Sequence, residues 1–181
     1  GGNGSGKSTL FKSILGLIEP DAGQIRIMDE PVESVRKYIS YIPQKEEIDW
    51  GFPARVIDVV LMGRYPHLGV FEQLQPGDQE KAEDALRQLG IEDLKNKQIG
   101  ELSGGQQQRT FIARALCQEA EIYLFDEPFV GVDITTEGRI IEIVKELAAT
   151  GKTVIIIHHD LAKVKDYFDR LIMINQRVIA Y

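Results

Sequence analysis

The sequence predicts an α/β fold, with a mainly parallel sheet covered by helices on both faces and a mainly helical insertion. Three observations predict it. A glycine-rich stretch at the start runs straight into an apolar stripe at helical spacing, Leu10, Ile14 and Leu17. In the last third of the chain, short apolar runs alternate with amphipathic helical patterns, the order that yields parallel strands joined by crossovers. Between these parts, residues 45–115 change texture and become helical, irregular and aromatic. The expected division is therefore an α/β core from residues 1–44 and 116–181, with 45–115 as the insertion.

Gly1, Gly2, Asn3, Gly4, Ser5, Gly6, Lys7, Ser8 and Thr9 fit the pattern G-x-x-x-x-G-K-[ST], a loop that wraps nucleotide phosphates. Glycines 4 and 6 remove the Cβ atoms that would hold the backbone away from a phosphate, and they permit positive φ. Several N–H groups then share one concavity, and the helix beginning near Lys7 adds its positive end. Lys7 supplies an ammonium for the β/γ-phosphates, and the Ser8 hydroxyl is placed for Mg²⁺. The chain opens at the loop's first glycine, so a strand feeding the loop is expected to be missing. The end at residues 179–181 likewise reads as cut inside a strand.

After the first helix, Pro20-Asp21-Ala22-Gly23 is a turn. Residues 24–27 alternate as a half-buried strand does, and 38–42 read as a second strand stopped by Pro43. In the insertion, 45–53 is irregular, 55–62 helical and 66–77 a loop in which His67 is a surface residue. Ala82, Ala85, Leu86 and Leu89 mark a helix stopped at Gly90. Ser103 reads as the N-cap of a helix through Cys117. The α/β texture returns with Ile122-Tyr123-Leu124-Phe125, a helix after Asp133 ending at Gly151, a strand over 153–157, a helix over 161–167 and a strand over 171–174.

At 181 residues the chain has the length of one domain. Its net charge of −7 argues against a nucleic-acid partner. No apolar run approaches the about 20 residues that a membrane span needs, and no signal peptide is visible. The single Cys117 cannot form an internal disulfide and reads as a small core residue.

Ligands on such sheets sit at the carboxyl ends of strands, where Asp126-Glu127 and His158-His159 both fall. Asp126 is placed to hold Mg²⁺ opposite Ser8. Glu127, a second carboxylate, is placed to polarise the water that attacks the γ-phosphate. Adjacent strand residues point to opposite faces, so His158 and His159 are not expected to share an ion. Capping by Ser103 leaves Gly104 and Gly105 unexplained. Two glycines at a helix start admit an anion, and because this chain already has a phosphate loop, they suggest another molecule's nucleotide.

The order of these motifs, with Tyr41-Ile42-Pro43-Gln44 and His159-Asp160, resembles the ATP-binding cassette (ABC) ATPases over essentially the whole chain. The resemblance implies a P-loop NTPase (RecA-like) core using ATP and Mg²⁺, with Lys7, Gln44, Glu127 and His159 catalytic and Ser8, Gln44 and Asp126 around the metal. Gln44 would link the Mg²⁺/γ-phosphate region to the helical insertion, and His159 would be the γ-phosphate switch. Ser103, Gly104, Gly105 and Gln106 would contact the partner subunit's ATP in a head-to-tail homodimer. Asp133 would sit in the loop joining the two sites, although capping the next helix explains it nearly as well. Two departures stand out: the adenine-stacking aromatic is absent, and Val130-Gly131-Val132-Asp133 replaces the usual Ser-Ala-Leu-Asp-like segment.

A narrower resemblance rests on Ile48-Asp49-Trp50-Gly51-Phe52-Pro53, Leu61-Met62-Gly63-Arg64-Tyr65, Ile99-Gly100-Glu101-Leu102-Ser103 and His158-His159-Asp160-Leu161. These are similar to ATPase subunits of bacterial importers for manganese, zinc or chelated iron. It implies a subunit on the cytoplasmic face of the membrane, docked on a permease through exposed aromatics at Trp50 and Phe52; an internal aromatic cluster of the helical insertion is the other reading of that stretch. An extracytoplasmic binding protein would be an indirect partner. Two other readings are a soluble ABC ATPase outside transport and a non-hydrolysing regulatory module. The acidic balance and the Trp50 region weigh against the first, Glu127 and His159 against the second.

Overall fold

The computed structural model describes residues 4–69, 71–159 and 164–180. The loop through Gly4 and Gly6 enters α1 (Lys7–Ile14), which buries Phe11. Next, β1 (Arg26–Ile27) and β2 (Glu30–Pro31) form an antiparallel hairpin. Its central residues Met28 and Asp29 have φ of 54° and 64°, the positive values a two-residue hairpin turn of this hand demands. The strand expected over 24–27 is thus only two residues long. The short α2 (Val32–Val35) buries Val32 and Val35 and leads to β3 (Ile39–Ile42).

Among the described residues three α-helices follow, α3 (Val56–Leu61), α4 (Pro76–Gln88) and α5 (Gly104–Cys117). The loop expected over 66–77 is shorter than that range. Pro66 lies inside a 3-10 helix, Met62–His67, and Pro76 opens α4. A proline at the first helical position loses nothing, because its missing N–H has no intrahelical acceptor there. His67 is exposed, with its Nε2 2.6 Å from the Gln118 carbonyl. Arg64 is buried and ties these helices together. It donates to Asp78 Oδ1 (2.8 Å), the Cys117 carbonyl (2.9 Å) and Glu119 (3.0 Å). Cys117 is a buried free thiol, pushed up to about 11 by burial.

The chain then returns to the sheet with β4 (Ile122–Asp126), α6 (Ile134–Ala149) and β5 (Thr153–Ile157). The order β3-β4-β5 is parallel, with Ile42 opposite Phe125 and Asp126 opposite Ile157. Side chains alternate across β4. Tyr123 and Phe125 join the larger core with Val56, Leu86, Ile112 and Ile140, while Leu124 joins Phe11, Leu15, Val35 and Ile39. Both faces of the strand are therefore covered, as parallel sheets require. Finally come α7 (Val164–Tyr167) and an antiparallel pair, β6 (Met173–Ile174) and β7 (Val178–Ala180). Residues 161–163 of the helix expected over 161–167 lie outside the described residues. No helix among the described residues is long and apolar enough to cross a membrane.

Gly63 marks where the 3-10 helix meets α5. A Cβ there would lie 2.2 Å from the Arg114 carbonyl oxygen, a backbone atom that cannot swing aside. Gly63→Ala is expected to destabilise the intact protein by about 1–3 kcal/mol, the cost of overpacking. Denaturant unfolding measures it, and an unchanged midpoint would contradict this packing.

Candidate active site

A cavity of about 440 Å³ is lined by Gly4, Ser5, Gly6, Lys7, Ser8, Thr9, Gln44 and Glu127. Gly1, Gly2 and Asn3 lie outside the described residues. Gly4 and Gly6 have φ of 76° and 94°, and among the described residues a Cβ on either would meet nothing within 4 Å. The positive φ by itself calls for glycine at both positions. No side chain caps α1, which suits a helix start that offers its N–H groups to an anion. Lys7 Nζ donates to Ser5 Oγ at 3.0 Å.

The sheet brings Asp126 to this loop. The carboxylate is 1% exposed, at the end of β4. The Gln44 amide donates to Asp126 Oδ1 at 3.2 Å and to Ser8 Oγ at 3.4 Å. Among the described residues, Asp126 Oδ2 is buried with no protein partner. A buried carboxylate oxygen left without a donor is costly, and a divalent cation beside the Ser8 hydroxyl would satisfy it. The donor set, a carboxylate, a hydroxyl and a side-chain amide, fits Mg²⁺, which takes oxygen ligands and few of them from protein. The Tyr41 hydroxyl is also buried, with no hydrogen-bond partner among the described residues. Burial, then the nearby Asp126 and Glu47 carboxylates, hold it in the protonated form well above its ordinary pKa.

Glu127 has φ of 53°, a left-handed backbone costly for a residue with a Cβ. Its N–H donates to the Ile157 carbonyl at 3.2 Å, and its Oε2 lies 3.8 Å from His159 Nδ1. His158 and His159 stand beyond the end of β5, so strand alternation does not separate them. Their ring centroids are 5.6 Å apart, and both line a cavity next to Glu127. The expectation that they face opposite ways is corrected on this point. Asp160, the other half of the His-Asp motif, lies outside the described residues.

Ser103 caps α5. Its Oγ accepts from Gln106 N at 3.4 Å, while Ser103 N donates to Gln106 Oε1 at 2.9 Å. Ser103, Gly104, Gly105 and Gln106 do not line the cavity that holds Lys7. A Cβ on Gly105 would come within 3.8 Å of Asp133 Oδ2. Asp133 caps α6, taking Thr136 N at 2.9 Å and Thr136 Oγ1 at 2.8 Å. The Thr136 N–H, then its hydroxyl, hold this carboxyl below its usual range.

A second, apolar cleft of about 270 Å³ includes Ile48, Trp50, Phe52, Met62, Phe111 and Arg114. Trp50 is only partly exposed. Its ring meets Phe111 edge-on at 5.2 Å, and its Nε1 donates to the Lys45 carbonyl at 3.0 Å. Of the two aromatics expected at the surface, only Phe52, 54% exposed, is free of the core.

The sequence profile of the ABC transporter family matches residues 1–130. The chain belongs to that family. The manganese transport system ATP-binding protein MntB of Halalkalibacterium halodurans is 51% identical over 181 residues, all of this chain and 72% of that protein. The zinc transport system ATP-binding protein TroB of Treponema pallidum is 49% identical over 99% of this chain and 68% of its own length. Among solved structures, cbiO1 of Clostridium perfringens, part of the ABC transporter complex cbiONQ, superposes with a TM-score of 0.80. It is 31% identical, and the match covers 99% of this chain and 73% of that one. The ABC ATPase fold explains the pairing of a phosphate loop with a parallel sheet and a block of helices in one chain.

Proposed function

We propose that this chain is the ATP-hydrolysing subunit of an ABC importer for manganese, zinc or chelated iron, working through a separate membrane permease. Gln44 carries the reading: it bonds both Ser8 and Asp126 at the edge of the phosphate-loop cavity. The metal assignment rests on the likeness to MntB and TroB.

Lys7 and the N-terminal turn of α1 would bind the phosphates. Ser8, Asp126 and Gln44 would hold Mg²⁺, which neutralises charge on the β- and γ-phosphate oxygens. Glu127 would orient and deprotonate the attacking water, and His159, on its flank, would contact the γ-phosphate. Ser103 to Gln106, set apart from their own chain's cavity, would serve the nucleotide of a second copy arranged head to tail. Asp133, which caps α6 beside Gly105, would sit in the loop joining the two sites. Residues 1–44 and 116–181 would act as the nucleotide core, and 45–115 as the insertion that meets the permease at the cytoplasmic face of the membrane.

The cleft at Phe52 is the permease contact in this reading, an exposed aromatic beside an apolar hollow. Steady-state ATP hydrolysis by the full-length subunit tests the enzymatic part. Phe52→Asp tests the docking part, and is expected to weaken permease binding about tenfold or more, as loss of a central aromatic anchor does. Unaltered co-purification with the permease would remove the cleft from the interface.

A further inference from the structure

Residues 44–50 form a strap between the nucleotide loop and the apolar cleft. Its first residue, Gln44, donates to Ser8 Oγ. Three residues on, Glu47 Oε1 accepts from Lys12 Nζ at 2.8 Å. Ser8 and Lys12 are four residues apart on α1 and so share one face of that helix. The strap is thus bonded twice to the helix that begins at the phosphate loop. It is not slack chain, because Glu47 N donates to the Gln44 carbonyl at 3.0 Å and Ile48 N to the Lys45 carbonyl at 3.3 Å. Its far end, Ile48, Asp49 and Trp50, lines the cleft, with Trp50 fixed against Phe111 of α5.

Of the two attachments to α1, only Gln44 belongs to the nucleotide cavity; neither Lys12 nor Glu47 lines it. The Lys12–Glu47 pair is partly exposed, with side chains 34% and 37% accessible, so its contribution to overall stability is small. What it supplies is geometric: a charged contact that sets the middle of the strap against α1, one helical turn from the Ser8 that Gln44 contacts.

We infer that Lys12 and Glu47 are positioning residues that transmit the placement of α1 to the permease cleft, alongside Gln44. This inference rests on the cleft being the permease contact. Coupling between two sites requires a physical element whose placement both sites bias, and the strap touches both.

The test uses the full-length subunit with its permease in lipid vesicles. Three quantities are measured: hydrolysis by the free subunit, affinity for the permease, and the increment in hydrolysis that the permease induces. Lys12→Ala and Glu47→Ala are expected to leave the first two unchanged and to cut the increment about fivefold, within the span of intersite couplings. Lys12→Arg, and the double reversal Lys12→Glu with Glu47→Lys, are expected to restore it. A normal increment in both alanine variants overturns the inference, and so does a loss that neither restoring variant repairs. A parallel fall in free-subunit hydrolysis also overturns it, since the pair would then belong to the nucleotide site. Phe52→Asp is the separate arm. Normal permease binding by that variant sinks the docking reading, whereas impaired binding there with full stimulation in Lys12→Ala sinks the pair alone.

Discussion

Glu127→Gln is expected to bind ATP normally and to hydrolyse it ~10²–10⁴-fold more slowly, the usual contribution of a positioned base. That loss corresponds to about 3–5 kcal/mol of activation barrier. Glutamine keeps the shape of the side chain and removes the charge, so the change isolates proton acceptance from packing. Three observations make Glu127 the residue to test. It lines the cavity with Lys7 and Ser8, its carboxylate lies 3.8 Å from His159 Nδ1, and its backbone is held at φ 53°. Strained backbone of that kind persists where the surroundings over-determine it, and the bond from Glu127 N to the Ile157 carbonyl is part of that constraint. Single-turnover hydrolysis and nucleotide binding by the intact protein give the two readouts. Near-normal turnover would refute the assigned role.

Ser103→Arg is expected to abolish hydrolysis while leaving nucleotide binding to a single subunit intact. Ser103 lies outside the cavity of its own chain, so a bulky cation there obstructs only what approaches the tip of α5 from outside. Losing the cap costs about 1 kcal/mol of helix stability, too little to unfold a domain, and a thermal melt checks that the variant is folded. Mixing Ser103→Arg with Lys7→Ala subunits sharpens the result. Each is expected to be inactive alone, but in the proposed head-to-tail arrangement a mixed pair would rebuild one complete site from Lys7 of one copy and Ser103 of the other. Recovery of hydrolysis on mixing supports shared sites. Failure of the Ser103→Arg subunit to bind ATP, or no recovery on mixing, would place Ser103 in its own chain's site.

Much of the site is legible in the sequence because its chemistry is local. A phosphate loop needs glycines, a lysine and a hydroxyl within a few residues, and a helix cap needs Ser103 or Asp133 next to the first turn. The observed caps at both residues follow directly. The two histidines follow the strand read over 153–157, so strand alternation does not govern which way their rings face. β5 stops at Ile157, which frees both rings to face one cavity. For Trp50 the sequence leaves open an exposed docking residue or a member of an internal aromatic cluster; Phe111, 61 positions away in sequence, meets its ring edge-on while Trp50 still lines the cleft.

By itself the sequence determined the alternation of strands and helices, the phosphate loop, the carboxylates at the end of a strand, and the resemblance to ABC ATPases. These depend on spacing along the chain, where each residue's neighbours are known in advance. Only the tertiary structure decided that Gln44 bridges Ser8 and Asp126, that Asp126 Oδ2 is buried without a partner among the described residues, and that Glu47 reaches Lys12. Those contacts span 35 to 82 residues. Contacts at such separations exist only after the parallel sheet brings β3 beside β4 and sets both against α1, because no local pattern encodes which distant polar atoms the packing will bring together.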